Sequence, residues 1–215
     1  MTMTFRLRKF ALTAHVTSSV GWLGAVGGFL AIAVAGLTSQ DAQLVRATYL
    51  AMELTGWFVI VPLSLASLPT GLVMSLGTEW GLFRHYWVLA KFLITILATV
   101  LLLLHMQPVG HLARVVAETT LARGELAGLR IQLVADAGAA LLALLVATAL
   151  SVYKPRGMTQ YGRRQHQAQG GSGVVPGRGS IIRTARWMKV LGITAVLLVL
   201  LFVVLHLTGR GLGDH

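Results

Sequence analysis

The chain has 215 residues, 55% of them hydrophobic and only 12% charged, which excludes an ordinary soluble domain and places it in the membrane class. It contains no cysteine, so disulfides, iron–sulfur clusters and thiolate metal sites are excluded, and any metal chemistry must use His, Met or carboxylates. The formal net charge of +11 would suggest nucleic acid on a soluble protein; here it reads as basic loops that set orientation and touch anionic lipid, with no nucleic-acid partner expected.

A membrane helix needs about 20 mainly apolar residues. Five runs qualify, at 10–37, 49–76, 86–105, 131–153 and 187–208. They are continuous and do not alternate, so they predict helices and not barrel strands. The first follows Arg6, Arg8 and Lys9 and carries His15 and Trp22, whose spacing of seven puts both on one face. Gly21, Gly24 and Gly28 add a small-residue surface of the kind that lets helices pack closely. A cleaved signal peptide is the alternative for this run, with Ala31, Ala33 and Ala35 as small residues, but its apolar region far exceeds a signal core of about 7–15 residues.

The second run has Glu53 near one end and contains Pro62 and Pro69, which should kink it or break it locally. The third starts Tyr86-Trp87-Val88-Leu89-Ala90-Lys91 and stays apolar to His105, with Trp87, Lys91, Thr95 and His105 near one face. A charge at membrane depth is costly and usually has a partner or a task. The stretch 106–130 reads as a loop holding His111, Arg114, Glu118, Arg123, Glu125 and Arg130, and the fourth run carries Asp136 near its start. Residues 154–186 combine arginines with the low-complexity run Gln165–Gly173. They predict a flexible basic loop beside anionic lipid. The fifth run ends at His206.

The basic residues cluster at the N-terminus and in 154–189. The positive-inside rule then places the N-terminus in the cytoplasm and the C-terminus outside. The expected fold is all-α: a four-helix transmembrane unit over 1–153, the loop 154–186, and a fifth transmembrane helix with a short tail over 187–215. Self-association is compatible with this layout.

At about 1.5 Å per residue, His15 and Lys91 each lie roughly 8 Å inside the inner ends of their spans. Equal depth allows one shared pocket; snorkelling to the surface is the other reading for Lys91. Toward the outside, Glu53, His105, His111, Asp136 and His206 form a second polar set. It suits either a metal or haem site or ordinary interfacial polarity with one carboxylate–His pair. No phosphate-binding loop, H-E-x-x-H or G-x-S-x-G element occurs, so nucleotide-driven pumping and these hydrolase chemistries have no residues behind them.

The first-span segment from Ala14 to Gly24, with His15 and Trp22 seven apart, resembles the first helix of HemJ-type membrane proteins. Trp87-Val88-Leu89-Ala90-Lys91-Phe92 resembles that family's Trp-x-x-x-Lys helix start. CopD-like copper-resistance membrane domains are similar, and a set of uncharacterised bacterial integral membrane proteins looks closest overall. The resemblance rests on motifs over about 10–110 and on hydropathy for the fourth span; the fifth span and its loop look like an addition.

The resemblance to HemJ implies a four-helix protein that binds b-type haem or a porphyrin and acts in redox chemistry or electron transfer. His15 would then be the iron ligand, assisted by Lys91, with Trp22 and Trp87 beside the cofactor. The CopD-like resemblance implies copper transport or handling, in which the outer set His105, His111, His206, Glu53 and Asp136 would matter most. A membrane scaffold without chemistry of its own is the remaining expectation, and the residues assign no catalytic role.

Overall fold

The computed structural model describes residues 4–77, 85–118, 127–153 and Thr159. They are almost entirely helical: α1 (Phe5–Thr38), α2 (Ala42–Thr55), a π-helical turn (Gly56–Ile60), α3 (Val61–Leu76), α4 (Tyr86–Glu118) and α5 (Ala127–Tyr153). The turn joins α2 to α3 as one 35-residue rod, so the described chain has four helices long and apolar enough to cross a membrane. The expected fifth span and the basic loop before it lie outside the described residues.

Each helix forms because its run is apolar and its breakers are few. Only Ser39 to Asp41 separates α1 from α2, and the Asp41 side chain caps α2 by accepting from the Gln43 backbone N–H at 2.9 Å. The second rod therefore begins at Ala42 and not at 49, which puts Arg46 on the helix. Neither proline ends the rod. Pro62 sits in the first turn of α3, where a missing N–H is tolerated, and the π turn directly precedes it. Pro69 lies inside α3. Around it the Ser64, Thr70 and Ser75 hydroxyls donate to backbone carbonyls of the preceding turn and so satisfy themselves within the helix.

The stretch 106–130 differs from the expected loop. Helix α4 continues through Pro108 to Glu118. The physical reason is the core: Val109, Leu112 and Ala113 recur at helical spacing and are buried. Breaking the helix at Pro108 would pull them out.

The helices close into a four-membered ring. α1 packs on the α2–α3 rod and on α5, and α4 packs on the same two neighbours from the opposite corner. α1 and α4 are thus diagonal. Trp22, Phe29, Tyr49, Met52, Ile60, Leu112 and Leu133 form the centre. Phe10, Val20, Phe58, Leu93 and Leu142 point outward. An apolar exterior as well as an apolar core is what a bundle surrounded by lipid requires.

Glycine placement corrects one expectation. An added Cβ at Gly24 or Gly28 would meet nothing within 4 Å, so this pair does not pack against another helix among the described residues. The close approaches are at Gly36, which faces Thr48 and Tyr49, and at Gly21, which faces Leu63.

Candidate functional site

The half of the bundle that holds the starts of α1 and α4 brings His15 and Lys91 together. Lys91 Nζ on α4 lies 3.5 Å from His15 Nε2 on α1, the long limit of a hydrogen bond across the bundle diagonal. On the other side of the ring, His15 Nδ1 lies 3.3 Å from Thr70 Oγ1 on α3. That hydroxyl also donates to the Ala66 carbonyl at 2.6 Å. Roles follow from the inventory of donors. A lysine ammonium can only donate, so Nε2 accepts, Nδ1 carries the proton, and Thr70 receives it while donating onward. Four groups on three helices form one directed chain.

α3 can come this close because Gly71 has no side chain. A Cβ there would stand 3.0 Å from His15 Cε1 and 3.4 Å from Nδ1. One turn away, Ser19 and Ser67 hydroxyls meet at 2.9 Å. The surroundings of the basic pair are therefore hydroxyls and a glycine. The described carboxylates lie elsewhere: Asp41 caps α2, Glu53 packs beside Gly110, and Asp136 meets His105. Two basic groups in contact, with no acid beside them among the described residues, make a site for an anion.

The arrangement fits iron less well than it fits an acid. A metal sits about 2 Å from an imidazole nitrogen. Here Nε2 faces an ammonium and Nδ1 faces a hydroxyl, so ligation by His15 requires Lys91 to swing away first. Of the aromatic residues expected beside this site, Trp87 stacks obliquely near His85 with ring centroids 6.4 Å apart. Trp22 is buried in the core, where it lines a different space.

That space is a half-enclosed cavity of about 100 Å³ between α1, α4 and α5. Its walls are apolar except for His105 and Asp136. These two, both from the outer set, meet at 2.7 Å between Nε2 and Oδ2 and are about 9% and 3% exposed. His105 is thus a core residue and not an interfacial one. The rest of the outer set does not join them. Glu53 Oε1 packs against Gly110, and His111 is exposed. His206 lies outside the described residues. Among the described residues no three His, Asp or Glu side chains converge as a metal site would need.

Comparison with models of protein families, with curated proteins and with solved structures finds no match in any of the three.

Reasoning from charge and motif alone passes over Thr70, Gly71 and the hydroxyls of α3. None is charged, and the prolines dominate that stretch. The run Ser64, Ser67, Thr70, Gly71, Ser75 does carry a signal, because small polar residues at helical spacing in an apolar run mark a face turned away from lipid.

Proposed function

We propose that this is a multi-pass protein of the bacterial cytoplasmic membrane, with its N-terminus inside, that uses His15 and Lys91 to hold the acidic group of an apolar small molecule. The ligand class is a porphyrin or b-type haem, the class implied by the resemblance of the first and third spans to HemJ-type proteins. The observation that supports this most is the 3.5 Å contact of two basic side chains from diagonal helices, surrounded by hydroxyls. A half-buried cation is costly in lipid, and a ligand carboxylate relieves that cost. A porphyrin offers an apolar ring for the bilayer and propionates for the basic pair. Electron transfer is the form this function takes when the bound ring carries iron.

The test is a titration of the full-length protein in micelles with iron-free protoporphyrin IX, followed by porphyrin fluorescence, beside the absorption spectrum of protein from haem-replete cells. Binding through the carboxylates requires that protoporphyrin IX bind saturably and that Lys91→Met weaken it about tenfold, the scale of one charge-assisted hydrogen bond. No saturable binding, or binding indifferent to both Lys91→Met and His15→Ala, sinks the reading. A Soret band that shifts with His15→Ala while protoporphyrin IX fails to bind would replace it with iron ligation.

A further inference from the structure

The cavity near the outer end of the bundle has a different chemistry. It lies along α4 between Ile94 and Val109 and includes neither His15 nor Lys91. Lys91 and His105 are fourteen residues apart, about 21 Å along the helix. The cavity exists because α5 presents alanines, Ala137, Ala139, Ala140 and Ala143, where larger side chains would close the gap to α4. Its volume of about 100 Å³ is of the order that takes one small aromatic ring, and far too small for a tetrapyrrole.

One polar feature interrupts the apolar lining. Asp136 is 3% exposed, and its Oδ2 is engaged with His105 at 2.7 Å. Its second oxygen, Oδ1, is buried and has no hydrogen-bond partner among the described residues. A buried carboxylate oxygen without a donor is strongly unfavourable. What satisfies it must bring a hydrogen-bond donor into an otherwise apolar space, and a hydroxyl on an apolar ring does so.

We propose that this cavity is a binding site for a lipophilic hydroxyl compound with a ring-sized head, a phenol or hydroquinone type, drawn from the bilayer. The ring fills the space beside Trp22 and the α5 alanines, and the hydroxyl donates to Asp136 Oδ1. His105 is a positioning residue: its Nε2 holds Oδ2 at 2.7 Å, which leaves Oδ1 as the oxygen for the ligand hydroxyl. The site is independent of the His15–Lys91 pair and stands or falls separately from it.

The experiment compares two probes on the full-length protein in detergent micelles: para-trifluoromethylphenol and trifluoromethylbenzene, which lacks the hydroxyl. Fluorine NMR reads the saturable bound signal of each. The phenol is expected to bind at least about tenfold more tightly than the arene, as one hydrogen bond to a charged acceptor implies. Asp136→Asn should shrink that preference several-fold. Ala140→Leu, which fills the space, should abolish saturable binding of both probes, and His15→Ala should change neither. If Ala140→Leu impairs folding, judged by helical circular dichroism and gel filtration, the smaller Ala143→Val takes its place. Equal affinity for the two probes, no saturable binding, or a phenol preference untouched by both Asp136→Asn and cavity filling overturns the proposal.

Discussion

The buried pair His105–Asp136 makes an asymmetric prediction about stability. Replace each partner by leucine, singly and together. The contact is 2.7 Å long, with both side chains nearly excluded from solvent. His105→Leu leaves a carboxylate alone in an apolar surround, and breaking a buried pair this way costs about 3–5 kcal/mol. Asp136→Leu leaves no lone carboxylate behind. That variant loses the 2.7 Å contact and should cost only about 1–3 kcal/mol.

The double variant removes both members of the pair. Leucine is close to histidine in size, and the extra bulk over aspartate projects toward a cavity of about 100 Å³. Its cost should fall to within about 1 kcal/mol of the parent protein. The single costs sum to at least about 4 kcal/mol, so the coupling between the two sites is at least about 3 kcal/mol. SDS-driven unfolding in mixed micelles, followed by helical circular dichroism, gives all four free energies. Costs that add within about 0.5 kcal/mol, or a double variant no better than His105→Leu, would show that the two side chains merely lie close together.

Other expectations rest on single contacts. Gly36→Ala places a Cβ 2.7 Å from Thr48 Oγ1 and 3.1 Å from Tyr49 Cζ, so it should destabilise the bundle by about 1–3 kcal/mol. Gly24→Ala, with open space around it, should stay within about 0.5 kcal/mol in the same unfolding assay. Gly71→Ala pushes on the His15 ring at 3.0 Å and should weaken protoporphyrin IX binding about tenfold, ~1.4 kcal/mol, with little change in unfolding. Lys91→Met keeps the length of the side chain and removes a half-buried charge. It should leave stability equal or higher in that assay while losing the porphyrin. Arg130 lies over the Tyr49 ring at 5.6 Å; Arg130→Gln should cost about 0.5–2 kcal/mol, read by thermal melting in micelles.

Much of the fold is legible in the residues because lipid imposes one rule. Continuous apolar runs must be helices, and α1 and α5 begin and end within a few residues of where hydropathy puts them. The ends of α2 and α4 are less legible. Polar residues gather up to residue 48 and from 106, which favours loops there, but burial of Val45, Tyr49, Leu112 and Ala113 keeps both stretches helical. The site divides in the same way. Depth along an axis is a sequence quantity, so His15 and Lys91 can be placed at one level from their positions alone. Contact across the diagonal depends on how α3 packs between them, and that rests on Gly71 and Thr70, which carry no charge to draw notice. The glycines of α1 mislead for a related reason. The spacing Gly24-x-x-x-Gly28 says that a helix can be approached closely, not that a neighbour stands there.

The π turn before Pro62 bears on how this chain tolerates change in length. Buried positions along the second rod fall at Met52, Gly56, Ile60 and Ser64, a spacing of four where a regular α-helix advances 3.6. The turn thus takes up one surplus residue, and Trp57, Phe58 and Val59 bulge outward together at 47%, 75% and 42% exposure. Such turns amount to a single-residue insertion absorbed without disturbing the helix beyond it. Removing one of these three residues should therefore be accepted, with the turn reverting to α-helix and Ser67 and Thr70 still on the side of His15. A one-residue deletion between Val61 and Ser67 has no such slack. It would rotate the end of α3 by about 100° and swing Thr70 toward the lipid.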